Sequence, residues 1–108
     1  MKDKIISESN SFIIYEADVT PQNSVVHSHN NYELNYVKSG WGKRFIGDHF
    51  SSYETGDLVL LGPNLPHSWE GDINNGPGNS KNISLHFSEN FIDGFLIRTP
   101  ELKPVLKL

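Results

Sequence analysis

The sequence predicts an all-β domain, a sandwich or closed barrel of about seven or eight short strands. Three observations carry this. Short runs rich in β-branched and aromatic residues recur at near-regular spacing along residues 11–98, several of them alternating apolar and polar side chains. Glycine, proline and asparagine separate the runs at positions where tight turns need them. Helical spacing of apolar residues shows only in the tail, residues 99–108.

Taken in order, residues 1–10 (MKDKIISESN) are polar and read as a loose, flexible arm. Phe12–Tyr15 (FIIY) is a short strand between Ser-Asn-Ser and Thr20-Pro21. Val25-Val26 leads into His27–Gly40, HSHNNYELNYVKSG. There Tyr32, Leu34 and Tyr36 alternate with Glu33 and Asn35, giving a strand with an apolar and a polar face. Ser39-Gly40 turns into Trp41–Ile46, Gly47-Asp48 forms a two-residue hairpin loop with glycine first, and His49–Tyr53 returns. Glu54-Thr55-Gly56 turns into Asp57–Leu61, a continuous apolar run of the kind covered on both faces. Gly62-Pro63-Asn64-Leu65-Pro66 is a rigid loop that delivers His67, and Asp72–Lys81 is the most loop-like decapeptide. Asn82–Phe87 is the last strand, with Ile83, Leu85 and Phe87 on one face and Asn82, Ser84 and His86 on the other. In the tail, Thr99-Pro100-Glu101 reads as an N-cap, a first-turn proline and an acidic residue at a helix start. Leu102, Val105 and Leu106 follow at helical spacing, so 99–108 reads as the start of a truncated helical segment of a longer protein.

The 108 residues suffice for one domain with its own core. A formal charge of −4 with scattered basic residues excludes direct grip on nucleic acid by this segment. The absence of cysteine excludes a disulfide framework and limits any metal site to histidine and carboxylate. No apolar run has the length of a signal peptide or a membrane span, which reads as a soluble, cytoplasmic protein without a membrane partner.

The chemistry concentrates in His27, His29, Glu33 and His67. On an extended strand His27, His29 and Glu33 share parity, and a barrel would bring His67 to them. Three imidazoles and a carboxylate suit a divalent transition metal such as zinc, nickel or iron. The same four side chains also suit a metal-free polar interior in which the histidines hydrogen-bond Glu33. Trp69 shares parity with His67 and can either face a ligand or fill the core. Asn82, Ser84 and His86 form a polar strand face that looks either into a hydrated cavity or out to solvent. Tyr32, Leu34 and Tyr36 form an apolar outer face suited to the tail helices or to a homodimer contact.

These stretches resemble the cupin motifs. His27-x-His29, Glu33 and Gly40 reproduce the order of the first, and Gly56, Gly62-Pro63 and His67 resemble the second, with Gly71 where cupins carry an asparagine. HSHNNYELNYVKSGWGKRFIG, YETGDLVLLGPNLPHSW and ISLHFSENF are most similar to the amino-terminal effector domain of AraC-type transcription regulators, over roughly residues 10–108. The resemblance implies a cupin double-stranded β-helix, a jelly-roll barrel, whose DNA-binding half is absent from this chain. It implies that a small polar effector, plausibly a sugar, binds among His29, Glu33, His67, Trp69, Asn82, Ser84 and His86. No catalytic residue is assigned. The alternatives are a small metal-dependent cupin enzyme, a dioxygenase or isomerase, and a lone sugar-binding cupin.

Overall fold

The computed structural model describes residues 3–23 and 25–91. The helical start read over 99–108 lies outside these residues, as does the end of the expected barrel. Eight strands follow one another: β1 (Asp3–Glu8), β2 (Phe12–Asp18), β3 (Tyr32–Ser39), β4 (Trp41–Ile46), β5 (His49–Glu54), β6 (Leu58–Leu61), β7 (His67–Gly71) and β8 (Lys81–Phe87). They form two antiparallel sheets, one in the order β1-β2-β8-β3-β6 and one in the order β5-β4-β7. The turn spacing predicts a sandwich or barrel, and the structure is the double-sheet jelly roll that the cupin resemblance implies; the domain is all-β. No helix among the described residues is long and apolar enough to cross a membrane.

Local chemistry explains the elements that match. β4 and β5 turn at Gly47-Asp48, where Gly47 has a φ of 65° that a two-residue hairpin with glycine first requires. The alternation on β3 and β8 resolves in one sense. Glu33, Asn35 and Val37 are buried, as are Asn82 and Ser84, while Tyr36 on the opposite face is exposed. The polar face of β8 therefore looks into the barrel. Asn35 pairs in register with Ser84, and Val37 with Asn82, so the two polar faces are joined side by side. Behind them, Val19, Val37, Tyr53, Leu61 and Trp69 form the apolar core, with Ile46, Val59 and Leu65 packed against it.

Three expectations are corrected. Residues 1–10 are not simply a loose arm, because Asp3–Glu8 pairs with β2 as an edge strand. An exposed edge strand needs no apolar alternation, which is why polarity hid it. Asp57–Leu61 is not covered on both faces: the strand begins at Leu58, which is 61% exposed, and only Leu61 is fully buried. Finally, His27 and His29 do not lie on the strand that carries Glu33. That strand begins at Tyr32, and the two histidines sit on the connection before it.

Candidate functional site

The connection carrying His27 and His29 is held by main-chain pairing of its own. The His27 N–H donates to the His67 carbonyl (3.1 Å) and the His67 N–H donates to that of His27 (2.9 Å), an isolated bridge at the start of β7. The Asn64 N–H donates to the His29 carbonyl at 2.6 Å. Backbone groups thus hold the loop that Gly62-Pro63 shapes against the histidine loop. The convergence inferred from strand parity is real, but main-chain pairing across a loop achieves it.

Three of the imidazoles are oriented the same way. Nδ1 of His27 meets the Val25 carbonyl at 2.9 Å, Nδ1 of His29 that of Asn31 at 3.2 Å, and Nδ1 of His67 that of Leu65 at 2.7 Å. A carbonyl only accepts, so each Nδ1 carries the proton and each Nε2 is turned to other work. Around Glu33 Oε1 lie Nε2 of His86 at 2.9 Å, of His29 at 3.0 Å and of His67 at 3.5 Å. The other oxygen, Oε2, accepts from the Asn35 amide at 3.0 Å and from the Ser84 hydroxyl at 3.4 Å. Asn35 in turn accepts from the Asn82 amide at 3.0 Å.

Glu33, His67, Trp69, Asn82 and Ser84 line one cavity of about 100 Å³, together with His27, Asn35, Tyr15, Ala17, Val19 and Val25. Two of these residues carry a buried polar atom with no hydrogen-bond partner, Nε1 of Trp69 and Oδ1 of Asn82, while Nε2 of His67 has only the Glu33 carboxylate at 3.5 Å. Leaving one such atom unpaired costs on the order of 1–3 kcal/mol, so a wall bearing two is built to meet something polar. His29 and His86 stand beside Glu33 and do not line this cavity. Sequence reading left Asn35 and Tyr15 out of the site. The parity shared by Glu33 and Asn35 was a usable signal for Asn35; nothing in the sequence tied Tyr15 to the His86 ring it meets at 2.7 Å.

The donors are grouped closely enough to hold a metal ion. Metal–donor bonds of about 2.1 Å require neighbouring donors about 3.0 Å apart in an octahedron and about 3.4 Å apart in a tetrahedron. The three nitrogens lie 2.9–3.5 Å from Glu33 Oε1, within this range, and the donors of each triad below lie within 4.8 Å of one another. Two overlapping donor triads exist among the described residues, His27–His29–His67 and His29–Glu33–His86. At the position where cupins carry an asparagine, a Cβ on Gly71 would lie 2.5 Å from the Val19 carbonyl oxygen, so the backbone crossing there leaves no room for a side chain.

Burial alone would raise the Glu33 carboxyl, but the neighbouring His67 and His86 imidazoles and the Asn35 amide hold it well below the usual carboxylate range. Burial would likewise lower His67, yet the Glu33 carboxylate and the Leu65 carbonyl raise it above the ordinary imidazole value. The signs fix a pH profile. The contribution of Glu33 is complete above its unfolded-state pKa and is lost as pH falls through the depressed folded value. That of His67 is complete below its unfolded-state pKa of about 6.5 and is lost as pH rises through the raised folded value. Stability should therefore peak between about pH 5 and 6.5. Thermal melts from pH 3 to 9 check this, and a maximum above pH 8 would contradict it.

Residues 9–107 match the family profile of the AraC-like ligand binding domain. The chain belongs to this family. No curated protein matches it by sequence. Among solved structures, an RmlC-like cupin from Shewanella frigidimarina aligns with a TM-score of 0.67 at 16% identity, over 82% of this chain and 78% of that one. An RmlC-like cupin from Desulfovibrio desulfuricans gives 0.64 at 20% identity, over 80% of each chain. HppE, solved with Fe(II) and substrate, gives 0.66 at 20% identity over 79% of this chain and 52% of that one. The AraC-like domain described here thus spans about half the length of HppE. At these identities the likeness shows the fold, a cupin.

Proposed function

We propose that this AraC-like ligand binding domain is the effector-sensing half of a bacterial, cytoplasmic AraC-type transcription regulator. The observation that carries the reading is the pair of unpartnered polar atoms, on Trp69 and Asn82, that face one cavity beside His67. A hydroxyl-bearing effector could accept from the indole N–H and donate to the Asn82 carbonyl oxygen, while Ala17, Val19 and Val25 exclude water from its apolar side. Size narrows the class. A cavity of roughly 150 Å³ accommodates benzene, so about 100 Å³ takes only a few heavy atoms. A whole sugar would need the mouth at Val25 to open. For signalling, the effector must favour one arrangement of the protein over another, for instance of two protomers in a homodimer.

The experiment is a thermal-shift series on metal-free protein with glycerol, small hydroxy acids, pentoses and hexoses. A ligand at a hundred times its Kd stabilises by about 2.7 kcal/mol, which for a domain of this size raises Tm by about 10–20 °C. Selectivity for the smallest polyols or hydroxy acids is the expected result. No shift with any of them at high millimolar concentration removes the support for a small-polyol sensor.

A second reading is a metal-dependent enzyme. The donor triads favour it, and so does the shared fold with HppE, which was solved with Fe(II). In either reading a divalent transition metal would be held by His29, Glu33 and His67 with a further imidazole, for which the sequence marks His27. Such an ion supplies Lewis acidity, and Glu33 and the Nδ1-anchored histidines would orient its shell. Oxygen consumption by Fe(II)-loaded protein with added hydroxylated substrates would favour the enzyme; none would favour the sensor.

A further inference from the structure

The cupin-type motif names four donors, but the three-dimensional arrangement ranks them differently. His86 is the imidazole nearest Glu33 Oε1, at 2.9 Å, closer than His67 at 3.5 Å. It forms a donor triad with His29 and Glu33, and its ring centroid lies 4.6 Å from that of His29. It projects from β8, a strand hydrogen-bonded on both sides, by β2 and by β3, and its register partner on β3 is Glu33 itself. A side chain on a paired central strand is held more precisely than one on a loop. His27, by contrast, is exposed, sits on the connection before β3, and joins His29 and His67 in a triad that does not contain Glu33. The Tyr15 hydroxyl lies 2.7 Å from the same His86 nitrogen and would have to move aside for an ion.

We propose that His86 is a metal ligand of this domain, and that it takes the fourth place beside His29, Glu33 and His67 that the sequence motif gives to His27. This rests on the metal-holding part of the reading above and is independent of the regulator role. It moves the ion toward the five-stranded sheet and away from His27.

Cobalt(II) tests this by counting ligands. A histidine bound through Nε2 keeps its Nδ1–H, which gives a separate, strongly shifted exchangeable proton signal in the NMR spectrum of the cobalt protein. Three such signals are expected from the wild type. His86→Gln, which keeps a hydrogen-bonding group beside Glu33 and so protects the fold, should show two and bind cobalt at least tenfold more weakly. His27→Ala should retain three with affinity within about threefold. A full set of signals in His86→Gln, or a lost signal in His27→Ala, overturns the assignment. Failure of the wild type to bind cobalt or zinc overturns it together with the metal reading. The thermal shifts of the metal-free protein would still report on the sensor.

Discussion

Replacing Glu33 with alanine is expected to lower folding stability by about 3 kcal/mol, with a fall in Tm of about 12–24 °C. The carboxylate is 3% exposed and is the acceptor on which the polar interior converges. Its removal leaves the Asn35 amide and the His29, His67 and His86 imidazoles around an empty centre. Breaking a buried ion pair costs about 3–5 kcal/mol. The lower end applies because His67, which the carboxylate raises, can shed its proton once Glu33 is gone. Glu33→Gln should cost less, since one amide oxygen still accepts from Asn35. Urea unfolding with an unchanged m-value is the measurement. A loss below about 1 kcal/mol for Glu33→Ala would mean that the carboxylate is not the centre of this interior.

Leu61→Ala should cost a similar amount, about 3 kcal/mol, for a different reason. Leu61 has no exposed surface, pairs in register with Glu33, and packs in the cluster of Val37, Tyr53 and Trp69. A barrel whose two sheets are hydrogen-bonded along their lengths collapses poorly around a deleted side chain, so the residual void adds to the lost burial. Leu61→Met conserves volume and should stay within about 1.5 kcal/mol of the wild type. Equal stabilities for the alanine and methionine variants would show that the core relaxes freely at this level. Because Leu61 and Glu33 are neighbours, the two losses should not simply add.

The strands that punctuation defines were legible in the sequence. Trp41–Ile46 lies between Gly40 and the Gly47 turn, and its bounds are those read from residues alone. The polar alternation of β3 and β8 was legible as a pattern but not as a direction; the burial of Asn82 and Ser84 settles it. The histidine stretch was read as strand because period-two spacing fits an extended chain as well as it fits a pinned loop. What decides is that its backbone groups pair with His67 and Asn64, contacts between residues 35 or more apart that no local pattern encodes. The same long-range register brings His86 to Glu33 and Tyr15 to His86. The candidate residues were therefore legible largely as a set, whereas their ranking depended on strand pairing.

Among the described residues β1 is the outermost strand of its sheet and has one row of main-chain donors and acceptors without a partner strand, the situation in which molecules stick side by side into fibrils. Its ladder with β2 slips between Ile5 and Ser7, which puts an irregular step at Ile6 in the middle of the strand. Lys4 and Glu8 flank that step with charge on an exposed rim. A newcomer strand would meet a broken template flanked by ionic side chains, so the edge of β1 is itself built to resist uncontrolled polymerisation.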